Sequence, residues 1–72
     1  MISIYSNIDK EIIRLIGKGV DTFSDIWTNR ELVDVCNKEN IRSDKYRLVD
    51  RRLQILRKKG LIKFEKGHWR VL

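Results

Sequence analysis

The residues with chemistry to offer in this chain of 72 are cations at helical spacing, with a carboxylate and an amide among them. The stretch Arg42 to Gly60, RSDKYRLVDRRLQILRKKG, holds eight basic and two acidic side chains. Advancing about 100° per residue places Arg47, Asp50, Arg51, Gln54 and Lys58 on one face of a helix. Arg42, Ser43 and Lys45 stand at its start, and Lys63, Lys66 and Arg70 follow close behind. Such an array binds polyanions; it does not carry out bond-making chemistry. There are no paired carboxylates in a pocket pattern, no nucleophile beside a base and no phosphate-binding glycine loop, so neither an enzyme nor a cofactor is expected. One cysteine (Cys36) and one histidine (His68) rule out an intrachain disulfide and a structural zinc site of the CxxC kind. Cys36, at an apolar helical position, reads as a small core residue, and His68 as a surface one.

The charge is unevenly placed. The net +6 divides into −2 over residues 1–41, +6 over 42–60 and +2 over 61–72. This asymmetry points to a polyanionic partner, nucleic acid ahead of a membrane surface. The plainer explanation of charge alone is a solvated face that keeps the chain soluble. No apolar run approaches the roughly 18 residues of a membrane span and no signal-peptide pattern opens the chain, so a cytoplasmic location is the default expectation.

The basic face needs an element to hold it. In the same stretch Tyr46, Val49, Leu53 and Leu56 cluster on the opposite face, flanked by Leu48 and Ile55, which predicts an amphipathic helix over 43–59. Ser43 suits its N-cap and Asp44 its first turn, while Arg57, Lys58 and Lys59 favour the negative end of the helix dipole and Gly60 a left-handed cap. A chain this short forms one domain, residues 1–72, and buries only roughly 60% of its unfolded surface. Its core must come from the aliphatics with Phe23, Phe64, Trp27 and Trp69. A first helix is predicted over about Ile8 to Lys18, capped by Ser6 or Asn7 with a weak Ser6-x-x-Asp9 box, with Ile8, Ile12, Leu15 and Ile16 inward and Gly19 beyond its end. Ile13 falls off that stripe, and the Ile2/Ile4 tail or a second subunit would have to cover it; a homodimer through residues 1–16 is one expectation. Val20 to Thr28 fits either a turn and a half of helix capped by Asp21 or Thr22, or a brief extended segment. Thr28-Asn29-Arg30-Glu31 reads as a capping box opening a helix to about Lys38, with Leu32, Val35 and Cys36 inward, and Asn37 to Ile41 as a turn in which Asn40 suits left-handed geometry. After Gly60 the period changes to two. Two strands, 61–65 and 68–72, flank the tight turn Lys66-Gly67, pairing Glu65 with His68, Phe64 with Trp69, Lys63 with Arg70 and Ile62 with Val71. Ile62, Phe64, Trp69 and Val71 then share the face expected to pack on the helices.

Three main helices followed by a two-stranded hairpin resemble a winged helix-turn-helix domain, a mainly α fold with a small β-hairpin. The resemblance is carried by Arg51 to Phe64, RRLQILRKKGLIKF, where leucines three apart (Leu53, Leu56) precede a basic turn, Gly60 and an apolar Leu61-Ile62 pair, and by Thr28 to Leu32 at the start of the second helix. It extends over essentially the whole chain, although the wing turn is shorter and the Phe23 to Trp27 segment longer than in that family. The resemblance implies sequence-specific binding of double-stranded DNA, as in a small transcription regulator, with the long helix in the major groove. It makes Lys45, Arg47, Asp50, Arg51 and Gln54 the base-facing positions, and Arg42, Ser43, Lys58, Lys63, Lys66 and Arg70 the phosphate-facing ones. Lys63 opposite Arg70 adds to this, since like charges across a strand pair are unfavourable unless something anionic meets them. The alternative is a winged-helix protein-interaction module that uses an exposed Ile13 and Val33. RNA ranks lower, because the basic face shows no aromatic residue on which bases would stack.

Overall fold

The structure, a computed structural model, describes residues 5–39, 41 and 44–72. Four helices, α1 (Ser6–Gly17), α2 (Phe23–Trp27), α3 (Arg30–Lys38) and α4 (Lys45–Lys58), precede the strands β1 (Ile62–Glu65) and β2 (His68–Val71). The expectation of three helices is therefore one short. The ambiguous segment is helical because Thr22 caps it, its Oγ1 accepting from the Asp25 N–H at 3.3 Å, and because Ile26 enters the core completely. None of the described helices is long and apolar enough to cross a membrane.

Three expected caps differ. The N-cap of α4 falls on Asp44, whose carboxylate accepts from the Tyr46 N–H at 2.9 Å; Ser43 lies outside the described residues, as do Arg42, Asn40 and the Ile2/Ile4 tail. Asn29 caps α3 in place of Thr28, accepting from the Glu31 and Leu32 N–H groups. Thr28 instead donates to the Ser24 carbonyl, and Glu31 reaches across to Arg14, so the predicted box is not made. Ser6 lies inside α1, whose N-cap position, Tyr5, makes no side-chain cap bond, and the Asp9 carboxylate is engaged by Arg52. For Asp9 and Glu31 a longer-range partner takes the side chain that a local motif would have used.

The core joins Ile8, Ile12, Leu15 and Ile16 of α1 to Ile26, Leu32 and Cys36, to Leu48, Val49, Leu53 and Leu56 of α4, and to Ile62 and Trp69 of the hairpin. α1 lies against α3 and β2, whereas α4 lies against α2 and β1. Ile13 is half-buried against this same core, as is Val35, and Val33 is half-buried too. The isolated apolar surface that suggested a dimer or protein-interaction face at Ile13 is thus largely covered within one chain. Tyr46, expected on the apolar face, is half exposed; its ring meets Phe23 and Trp27 edge to face at 4.8 and 5.5 Å. Burial also pushes the Cys36 thiol up, as expected of a core cysteine.

α4 ends where Gly60 takes φ 78°, with its N–H on the Arg57 carbonyl and the Leu61 N–H on the Leu56 carbonyl. That double bond pattern turns the chain sharply out of the helix and into β1. The hairpin register is the expected one, Ile62 with Val71 through Glu65 with His68. Its turn carries positive φ at both central residues, Lys66 (51°) and Gly67 (82°). This is the primed turn that matches strand twist, with a lysine in its less suitable half. Only Ile62 and Trp69 reach the core; Phe64 and Val71 stay exposed. A strongly twisted two-stranded ribbon laid on helices makes contact along one diagonal and lifts the other two corners away. A hairpin alone is marginal in water, and Asp21 anchors this one twice. Its carbonyl accepts from the Trp69 N–H at 2.7 Å, and its carboxylate accepts from His68 Nδ1 at 3.0 Å.

Candidate nucleic-acid interface

The cations divide into partnered and unpartnered sets. The Arg14 guanidinium lies between Glu11 and Glu31, which raise its pKa, while it holds the Glu31 carboxyl below its usual range. Arg52 is buried on the inner side of α4. Its Nε and Nη2 donate to both Asp9 carboxylate oxygens at 2.8 and 2.7 Å, and its guanidinium lies 4.8 Å from the centre of the Tyr5 ring. Lys63 pairs with Glu65 at 3.0 Å. On α4, by contrast, Arg47, Arg51, Arg57 and Lys58 are exposed and make no ion pair among the described residues.

The exposed face of α4 is bordered by two grooves. Arg47 and Arg51, with Tyr5, Asp44 and Leu48, line one of about 350 Å³. Asp50, Gln54 and Arg57 line the other, of about 370 Å³, whose remaining walls are Phe23 of α2 and Phe64 and Trp69 of the hairpin. Helical geometry explains the split, since Asp50, Gln54 and Arg57 lie at positions i, i+4 and i+7 along one stripe. Of the expected base-facing residues, Arg47, Asp50, Arg51 and Gln54 are brought together on this side. Lys45 is not. It is half-buried roughly 160° around the helix from Arg47, close enough to Cys36 for its charge to act on the thiol. Arg42 and Ser43 lie outside the described residues.

The hairpin presents Lys63, Glu65, His68 and Arg70 outward, with Lys66 at its tip. Lys63 does stand opposite Arg70, but the Glu65 carboxylate bonds Lys63 and lies in the field of Arg70, and both hold it below its ordinary pKa. The like-charge pair is therefore bridged within the chain, and it no longer demands an external anion. Two features of the site escape a residue-by-residue reading. Arg57 belongs with Asp50 and Gln54, which the seven- and three-residue spacings to it would have indicated. The basic surface also borders aromatic side chains, contrary to expectation, because α2 and the hairpin bring Phe23 and Phe64 to its flank. Comparison of the chain with family models, with curated proteins and with solved structures found no match.

Proposed function

We propose that the chain is a sequence-specific double-stranded DNA-binding protein of winged helix-turn-helix type, acting as a transcription regulator. The observation that carries this reading is the row of exposed cations on α4, Arg47, Arg51, Arg57 and Lys58, which have no carboxylate partner among the described residues while Arg14, Arg52 and Lys63 are paired. The order of elements supports it too: a long basic helix turned through Gly60 into a hairpin that packs back on the helices. In this reading α4 enters the major groove. Arg47 and Arg51 donate in pairs to guanine O6 and N7, Gln54 meets adenine, and Asp50 accepts from cytosine N4. Lys58, Lys66 and Arg70 flank the phosphates, which sets affinity and register without carrying sequence information.

The test is DNA affinity at several salt concentrations, on random duplexes and on a duplex selected for binding. Wild-type protein should shift both, and log K should fall with log salt by about 0.9 per phosphate neutralised. Arg51→Ala should cost about 1–3 kcal/mol on the selected site and much less on random DNA. Arg70→Ala should weaken both DNAs alike and flatten the salt slope by about one unit. Failure to shift any duplex at physiological salt would remove the reading, and equal losses of both DNAs for Arg51→Ala would reduce α4 to an electrostatic face.

A further inference from the structure

The groove between α4 and the hairpin has an aromatic side that duplex binding does not use. Phe64 sits on a strand position whose face neighbours Ile62 and Trp69 are buried, yet Phe64 itself is 53% exposed. Its ring lies edge to face on Trp69 at 5.0 Å, and Phe23 lines the same groove. The rest of the lining is polar. Asp50, Gln54 and Arg57 supply a carboxylate that accepts, an amide that donates and accepts, and a guanidinium that donates. Among the described residues none of the three uses its side chain in a hydrogen bond or ion pair.

We infer that this groove seats an unpaired nucleobase of DNA, so that the protein binds a duplex carrying a single-stranded end more tightly than a blunt one. The inference rests on the DNA-binding reading above and names a second site that shares Asp50 and Gln54 with the proposed duplex-reading face. Aromatic side chains beside a cationic track are how single strands are held, because every base has a face to stack. A base inside a duplex is covered on both faces and paired along its edge; only an unpaired one can enter between Phe64 and α4. The mixed donors and acceptors of Asp50, Gln54 and Arg57 match the mixed edge of a base. Asp50 also argues against a phosphate as the occupant, since a carboxylate in the wall repels it. Arg47, Arg51 and Lys58 lie around the same helix face and would keep the sugar-phosphate chain alongside. The volume, about 370 Å³, is at the small end of ligand pockets and suits one planar heterocycle with its sugar.

The experiment measures binding of the full chain at one fixed salt concentration to three labelled DNAs: a blunt random duplex, the same duplex with a short single-stranded extension, and that extension made abasic. The extended duplex should bind about tenfold tighter than the blunt one, within the range one base–aromatic stack contributes. The abasic extension should return to the blunt value. Phe64→Ala and Phe64→Leu should each lose most of the preference for the base-bearing extension and keep the blunt-duplex affinity. Phe64→Leu keeps an apolar side chain against Trp69 but has no ring to stack, so it decides the matter if Phe64→Ala disturbs folding. Equal binding of blunt and extended DNA, or of abasic and base-bearing extensions, would overturn the inference and leave the duplex reading standing. Binding to none of the three would sink both. Sedimentation covers the remaining occupant: a wild-type dimer that Phe64→Ala converts to monomer would mean that a second copy fills the groove, and the inference would fall.

Discussion

Removing the Asp9 carboxylate while leaving Arg52 in place strands a charge inside the protein. The Arg52 and Asp9 side chains are only 8% and 15% exposed, and two hydrogen bonds of 2.8 and 2.7 Å join them across 43 residues of chain. Breaking a buried pair from one side typically costs about 3–5 kcal/mol, because the remaining ion keeps its desolvation penalty and loses its counter-charge. The Tyr5 ring under the guanidinium retains part of the attraction, so the low end, about 3 kcal/mol, is expected for Asp9→Ala. A domain of this size has total stability of about 4–11 kcal/mol, so the loss is large. It should lower the melting temperature by roughly 12–24 °C. The informative comparison is the double-mutant cycle with Arg52→Met, read by urea unfolding. The double variant should be more stable than Asp9→Ala alone, since methionine fills the apolar path of the arginine stem and leaves no ion behind. A cycle that closes with no coupling, or an Asp9→Ala variant within about 0.5 kcal/mol of wild type, would show that the pair is hydrated and contributes little.

The other predictions use the same stability and binding measurements. Leu53→Ala, at a fully buried position of α4, should destabilise by about 2–5 kcal/mol, and an unchanged urea midpoint would contradict the packing described. Lys66→Asn should stabilise by a few tenths of a kcal/mol or more, because asparagine tolerates the left-handed φ that lysine adopts at the turn; a loss of stability would mean that the turn has a different conformation. Glu65→Gln should strengthen binding to random duplexes and steepen the salt slope by about one unit, since it frees Lys63 for phosphate; no change would place the hairpin outside the interface. Arg14 holds Glu31 below its ordinary pKa, so their pairing stabilises the fold at neutral pH. That contribution is lost as pH falls below the usual glutamate range and through the lowered native value; Glu31→Gln should remove this part of the acid sensitivity of unfolding.

The hairpin register is legible from residues alone because a two-residue turn between alternating runs admits one pairing, and the α1 core stripe because four isoleucines and leucines recur at helical spacing. What is illegible is whatever needs two distant segments at once. Asp9 and Glu31 both sit in sequence patterns that favour local caps, and each is taken instead by an arginine that no short window contains, Arg52 and Arg14. Arg51 and Arg52 show the functional cost of this. They are neighbours of one type, about 100° apart on the helix, and a count of cations treats them alike. Yet Arg51 faces solvent with no ion pair among the described residues, whereas Arg52 is neutralised by an acid from the opposite half of the chain. The wheel does carry a hint, since Arg52 falls beside Leu48 and Leu56, where a cation needs a buried partner. With Asp9 assigned to Arg52, the +6 of residues 42–60 offers one charge fewer to any external polyanion. With Glu65 bridging Lys63 and Arg70, the hairpin adds less than its composition suggests. Charge on the proposed interface is therefore concentrated on the exposed face of α4. A salt slope that responds to Lys58 and ignores Arg52 would separate this distribution from a uniformly basic second half.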